Sequence, residues 1–228
     1  MTNQDRISAD ILKQAYQLGF FPMAESGKSD DIYWYDPDPR GVLPISSFHI
    51  PKRLLSTLKK GAYQVFVNKD FAQTMRLCAE ITPNRKETWI NDELLDAYIE
   101  LNEQGLAHSV EVWCQGDMVG GIYGVHLGGV FCGESMFSRQ RDMSKVALVH
   151  LTARLWYAGF DVFDTQFIND HIKQFGAYEM SRKDYKKKIG ASIKKPCVFL
   201  SDNFDECADY SSEAELLSAF IQEMTQIS

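Results

Sequence analysis

Three apolar stretches with only short Gly-containing turns between them constrain this chain more than any other feature. Ala107–Cys114, Met118–His126 and Val130–Glu134 are separated by Gln115-Gly116-Asp117 and Leu127-Gly128-Gly129. Connections this short join antiparallel neighbours, so the spacing predicts a meander. The second stretch carries Gly120, Gly121 and Gly124 in its interior, and the third carries Gly133. Glycine weakens a strand, so its presence there predicts a bulge, a bend or the close approach of another backbone. Glu134 falls between Gly133 and Ser135 where the apolar run ends. A carboxylate in that place either points to solvent or holds an ammonium group, with Phe131, Met136 and Phe137 lining an apolar pocket beside it.

The flanking sequence reads as helices with a few further strands. Asp10–Leu18 and Pro51–Lys60 have helical periodicity and end on Gly19 and Gly61. Asp70–Glu80, Asn91–Gln104, Ser144–Tyr157, a short turn at Asp170–Phe175 capped by Asn169, and a basic segment from Ser181 are also helical. Tyr63–Val67, Phe160–Phe167 and Val198–Leu200 read as strands. Tyr33–Gly41 holds two X-Pro steps among its aromatics, which predicts neither helix nor central strand. Ser212 and Glu215 form a capping box for a terminal helix whose Leu216, Leu217, Phe220, Ile221 and Met224 need a partner surface. The expected class is α+β: one mixed sheet flanked by helices. Its element order fits an acetyltransferase-like (GNAT-type) fold. The expected domains are a small N-terminal one over 1–62, a catalytic one over 63–200 and an acidic helical extension over 201–228.

Composition narrows the chemistry. A net charge of −7 argues against a general nucleic-acid binder, yet Arg182–Lys195 holds seven bases against Asp184 alone. Such a cluster is either a solvated helix face or a phosphate-binding surface. Lys52, Arg53, Lys59 and Lys60 form a smaller one. The last 38 residues carry seven acidic and two basic side chains. Five cysteines with no C-x-x-C read as buried small hydrophobes, and the histidines have no ligand spacing, so no metal is expected. No apolar run reaches the roughly 18 residues of a membrane span. The polar start lacks a signal-peptide core, and the expected location is the cytoplasm.

In Phe163-Asp164-Thr165-Gln166-Phe167, a period of two puts Asp164 and Gln166 on one face. Two polar groups on an apolar strand form a satisfied buried pair or serve a reaction, for instance by relaying a proton from an attacking amine. His171 follows a helix cap and reads as structural or as a base. Trp113 and Trp156 sit in regular elements and are expected in the core. Trp89 follows a polar run from Thr82 to Thr88, where an aromatic ring either packs inward or stacks on an unpaired nucleotide.

Taken in order, several motifs resemble one family. They are Gly19-Phe20-Phe21-Pro22, Trp34-Tyr35-Asp36-Pro37-Asp38-Pro39-Arg40-Gly41, Glu87-Thr88-Trp89-Ile90 and Ala107-His108-Ser109-Val110-Glu111. Gly120-Gly121-Ile122-Tyr123-Gly124-Val125, Phe131-Cys132-Gly133-Glu134-Ser135-Met136-Phe137-Ser138, Ser144-Lys145, Asp164-Thr165-Gln166, Asn169-Asp170-His171 and Gly176-Ala177 continue the series. Together, from about Asp10 to Gly190, they resemble the leucyl/phenylalanyl-tRNA–protein transferases. The resemblance implies transfer of Leu or Phe from charged tRNA to proteins that begin with Arg or Lys, without a cofactor, by a monomer. Met would be a further side chain an apolar pocket accepts. It further implies an aminoacyl pocket near Ile122, Phe131, Met136 and Leu151, with Glu134 and Gly133 at the charged 3′ end and Trp89 stacked on the terminal adenine. Asp164 and Gln166 would serve the attacking amine. Arg182, Lys183, Lys186, Lys187 and Lys188 would meet the tRNA backbone.

Two features depart from the family. Met23 stands where the family has a second stacking Trp, and the acidic tail either packs as a helix or competes with tRNA for the basic segment. Two other readings compete with the transferase. An acyl-CoA-dependent acetyltransferase needs a Gly-rich pyrophosphate loop, and Ser138–Ser144 has no glycine. A module that binds protein N-termini without chemistry has no need of Asp164 with Gln166 or of the basic helix.

Overall fold

In the computed structural model, which describes residues 6–83, 85–199 and 209–227, nine strands and eight helices are assigned among those residues. The meander is as expected: β5 (Ala107–Cys114), β6 (Asp117–Leu127) and β7 (Val130–Ser138) are successive antiparallel neighbours. They form the centre of a seven-stranded mixed sheet of order β4-β5-β6-β7-β8-β3-β9. Here β3 is Arg40–Leu43, β4 Gln64–Val67, β8 Val162–Gln166 and β9 Tyr178–Met180. The interior glycines have two causes. A Cβ on Gly120 would come within 2.5 Å of Met143 at the start of the following helix, whereas Gly124 sits at a bulge against the Cys132 carbonyl.

Helices cover both faces. On one lie α2 (Lys52–Lys60), α5 (Met143–Tyr157) and α8 (Glu213–Ile227), sharing a core with Leu54, Leu58, Leu148, Leu216 and Phe220. On the other lie α1 (Ala9–Gln17), α3 (Phe71–Ala79), α4 (Asp92–Glu103) and α7 (Arg182–Ser192), around Leu12, Met75, Tyr98 and Ile189. A short α6 (Asp170–Lys173) is capped by Asn169. Nearly every side chain of α5 is buried, because the sheet covers one side and α8 the other. From Glu213 to Ile227 the acidic tail thus packs as a helix. Its Glu213 accepts from the His150 ring and the Arg154 guanidinium of α5. The capping interaction differs in one arm: Ser212 Oγ accepts from Glu215 N–H, but the Glu215 carboxylate turns back to Ser211.

Other differences come from short elements. The Pro-containing segment does contain strands at its ends: β2 (Ile32–Tyr35) pairs antiparallel with β1 (Phe21–Ala24), and β3 lies inside the large sheet. Pro37 and Pro39 fall in the link between β2 and β3, so neither removes a ladder donor. β3 belongs to the expected small N-terminal lobe, yet it lies between β8 and β9. Val198 and Phe199 form no strand, and Leu200 lies outside the described residues, as do Asn84 and Cys207. Cys78 and Cys132 are buried and unpaired, while Cys114 and Cys197 are half-buried. Trp113 and Trp156 are half-buried rather than fully enclosed. No helix among the described residues is long and apolar enough to cross a membrane.

Candidate active site

The site originates where two strands separate. β7 and β8 run parallel, and their pairing ends at Cys132 with Asp164. Beyond that point Gly133–Met136 on one side and Thr165–Phe167 on the other face a cavity of about 420 Å³. Ile122, Leu148, Phe163 and Ile172 form much of its apolar wall, and Arg85, Ser144, Asn169 and His171 contribute polar groups. Glu134, Gly133, Ile122, Met136 and Gln166 are therefore brought together as expected of one site. Phe131 and Leu151 are not: both are buried core residues, 0% and 1% exposed. On α5 it is Leu148, one turn earlier, that reaches the cavity.

Gln166 lines the cavity. Its Nε2 donates to Glu134 Oε1 at 3.0 Å. Its backbone has φ of 58°, a left-handed conformation that costs a non-glycine residue about 1–3 kcal/mol. What holds it there is Asp164, whose Oδ1 accepts the Gln166 N–H at 2.8 Å. Strand alternation therefore fails at this point, and the two side chains diverge. Gln166 faces the cavity, whereas Asp164 turns to the other side of the sheet, 0% exposed.

There Asp164 meets Arg40, also 0% exposed, in a bidentate pair: Nε to Oδ1 at 2.9 Å and Nη2 to Oδ2 at 2.6 Å. Tyr185 Oη donates to Asp164 Oδ2 at 2.7 Å, and Arg40 Nη1 donates to the Gly19 carbonyl at 2.9 Å. The guanidinium lies over the rings of Phe21 and Tyr185, 4.7 and 4.5 Å from their centroids. Burial of this kind is tolerable only because every charge is matched and hydrogen-bonded. Arg40 stands in one of the sequence motifs without a role, and Tyr185 is a residue that sequence reasoning missed.

Glu134 is in a different state. Burial pushes its carboxyl up to about 8, and the negative Asp164 adds to that rise; hydrogen bonds from Tyr16 and Tyr98 and the charge of Arg40 work against it. Tyr98 Oη lies 3.4 Å from Glu134 Oε2 and 2.5 Å from Tyr16 Oη. A carboxyl that titrates near neutrality beside an open cavity can exchange a proton in either direction. Arg85 at the cavity edge donates to the Met136 carbonyl at 2.8 Å. Thr165 Oγ1 and His171 Nε2 are buried, and neither has a hydrogen-bond partner among the described residues. Burial holds His171 below its usual range, with Lys145 adding to the effect and Asp142 opposing it.

Around the site, Trp89 and Met23 are half-buried against the same hydrophobic cluster. The Ala24 N–H, next to Met23, donates to the Trp89 carbonyl at 3.1 Å. On α7, Arg182, Lys183 and Lys187 are exposed and Lys186 and Lys188 half-buried, while Tyr185 and Ile189 point inward. Arg182 and Lys186 reach Asp36, at 3.7 and 2.6 Å.

The comparisons with known proteins give the family. The family described as leucyl/phenylalanyl-tRNA protein transferase matches residues 42–190, and the N-terminal domain of the same family matches residues 5–38. The chain belongs to the leucyl/phenylalanyl-tRNA protein transferase family. A transferase of that name from Paramagnetospirillum magneticum is 49% identical over 193 residues, 85% of this chain and 92% of that one. Those from Maricaulis maris and Rhodopseudomonas palustris (strain HaA2) are 44% and 42% identical, over 94% and 96% of this chain and 97% and 100% of their own lengths. Among solved structures, L-PGS from Bacillus licheniformis is 12% identical with a TM-score of 0.38, over 75% of this chain and 58% of that one. That likeness carries no argument about the fold.

Proposed function

We infer that this transferase moves Leu or Phe from its charged tRNA to the α-amino group of a protein that begins with Arg or Lys, and so creates a degradation signal of the N-end rule pathway. Family membership across both matched regions supports the assignment. The observation that carries the chemistry is the Gln166–Glu134 contact on the lining of a cavity to which Ile122, Leu148, Phe163 and Ile172 give an apolar wall.

The reaction is aminolysis of an ester. The acceptor nitrogen bonds to the carbonyl carbon, the bond to the ribose oxygen breaks, and one proton passes from the amine to that oxygen. The aminoacyl side chain enters between Ile122, Met136 and Leu148, with Phe131 and Leu151 supporting the wall from the core. Such a pocket admits Met as well, because it separates apolar side chains by only about 1–3 kcal/mol per methylene. Glu134 and Gly133 hold the charged end, and Glu134, with its proton affinity raised, takes up the proton of the incoming amine. Gln166 uses Nε2 on Glu134 and presents Oε1 to that amine, which fixes its direction of attack. Asp164 acts through Gln166: both of its oxygens are occupied, so it positions the amide and does not meet the amine. Trp89 stacks on the terminal adenine, and Arg182, Lys183, Lys186, Lys187 and Lys188 meet the tRNA backbone.

The antiparallel meander, the α5 crossover and the parallel β7–β8 step support an acetyltransferase-like fold, in which the cleft between separating strands holds the acyl donor. The chain works as a monomer in the cytoplasm, with charged tRNA and acceptor proteins as its partners. Gln166→Ala tests the chemical role. Turnover should fall by about 10²-fold or more while the Kd for Leu-tRNA stays within about twofold. Equal losses in both would remove Gln166 from the reaction.

A further inference from the structure

The catalytic cavity has a neighbour on its β7 side. Arg85, Phe137 and Ser138, which line the first, also line a second cavity of about 240 Å³, whose remaining wall includes Leu77, Glu80 and Arg139. Glu80 is the C-cap of α3, and Arg139 directly follows β7. The two are ion-paired: Arg139 Nη2 donates to Glu80 Oε2 at 2.9 Å and to Oε1 at 3.1 Å. The Arg139 backbone is held by its N–H on the Val119 carbonyl at 2.7 Å, whereas the paired side chains are 52% and 45% exposed. Arg85, between the two cavities, spends its guanidinium on the carbonyls of Cys78 and Met136.

We propose that Glu80 reads the basic side chain of the acceptor protein, and that Arg139 occupies its carboxylate until the acceptor arrives. This rests on the assignment of proteins beginning with Arg or Lys as acceptors. Three observations favour that occupant. Among the described residues that line the two joined cavities, the carboxylates are Glu134 and Glu80. Glu134 is engaged by Gln166 and serves the amine, which leaves Glu80 as the anion for a second cationic group on the same substrate. The basic helix α7 is anchored at β8 through Tyr185 and Asp164, so a donor held by that helix comes in from the β8 side and leaves the β7 side to the acceptor. Glu80 also already binds a guanidinium, the group that an N-terminal Arg carries. An exposed pair of this kind is weak, so an incoming guanidinium can displace Arg139, and a Lys ammonium can bind as a point charge.

The test is steady-state transfer to an Arg-initial peptide with Leu-tRNA held saturating. Glu80→Gln should raise the KM for the peptide by about 2- to 5-fold, the range of a partly exposed charge pair, and leave the KM for Leu-tRNA unchanged. Arg139→Gln should lower the peptide KM by a similar factor, because the internal competitor is gone while Glu80 keeps its charge. The opposite signs carry the test: a pair that only joins α3 to β7 would shift both variants alike. Both side chains are about half exposed, and an unaltered Tm shows that neither substitution disturbs the fold. An unchanged peptide KM in Glu80→Gln overturns the proposal, and so does a rise in Arg139→Gln. If the unaltered protein labels no Arg-initial peptide at all, the acceptor assignment itself fails and takes this inference with it, an outcome distinct from either.

Discussion

Replacing Asp164 by Ala would remove one half of an enclosed ion pair. The side chains of Arg40 and Asp164 are 1% and 0% exposed and approach to 2.6 Å. After the change Arg40 still reaches the Gly19 carbonyl and the Tyr185 hydroxyl, but neither carries a charge. Water cannot compensate at a site this enclosed. Loss of one partner from such a pair costs about 3–5 kcal/mol, most of it the penalty of the charge left behind. In a protein of this length each kcal/mol lowers Tm by about 2–4 °C, so the expected fall is about 6–20 °C. Asp164→Asn keeps the shape and loses the charge, so it should fall within the same range. Urea unfolding should give a lower midpoint with an unchanged slope, because the surface exposed on unfolding is the same. Assayed well below its own Tm, the Ala variant should also lose turnover far more than tRNA affinity, since Gln166 loses the acceptor of its N–H. A Tm within about 2 °C of the unaltered protein would refute the reasoning and leave Arg40 with some other compensation.

Three further outcomes follow from the same geometry. Glu134 binds its proton more tightly when folded, up to about 8, so the native state holds more protons than the unfolded chain between about pH 4.5 and 8. The stability of the unaltered protein should therefore decline across that window, relative to Glu134→Gln, as pH rises; urea midpoints that differ equally at pH 5.5 and 8.5 would contradict this. Glu213, held down to about 2 by His150 and Arg154, has the opposite sign: its contribution is present above the ordinary carboxylate range and is lost as pH falls toward 2. Glu213→Gln should cost about 1.5–3 kcal/mol at neutral pH, read by urea unfolding, and the cost should shrink in acid. Lys183→Glu with Lys187→Glu should weaken Leu-tRNA binding and flatten its dependence on salt, with the acceptor KM unaltered, as measured by filter binding at several ionic strengths.

Much of the framework was legible in the sequence because its signals are local. The Gly turns mark the meander, and β5 has the bounds read for it in the sequence. Asn91, Asp70, Asn169 and Ser181 cap the helices they precede, each by accepting from a backbone N–H in the first turn. β1, β3 and β9 were not legible, since each spans only three or four residues and pairs with a partner that no local pattern identifies. The same contrast holds within the site. Glu134 and Gln166 stand in conspicuous motifs and do meet. The partner of Asp164 is Arg40, 124 residues away, and nothing in either segment signals the pairing. The left-handed turn at Gln166 broke the alternation that put Asp164 beside it. Leu151 was placed at the pocket by resemblance alone; its helix is buried on nearly every side, and Leu148, one turn earlier, is the residue that lines the cavity.

The most direct measurement of the central claim is transfer of radiolabelled Leu from Leu-tRNA to a peptide that begins with Arg, with a matched Ala-initial peptide alongside. The account predicts label on the Arg-initial peptide alone. Equal labelling of both would contradict the acceptor rule. Label on neither, with charged tRNA still bound, would contradict the transferase itself and leave a protein that recognises the donor without using it.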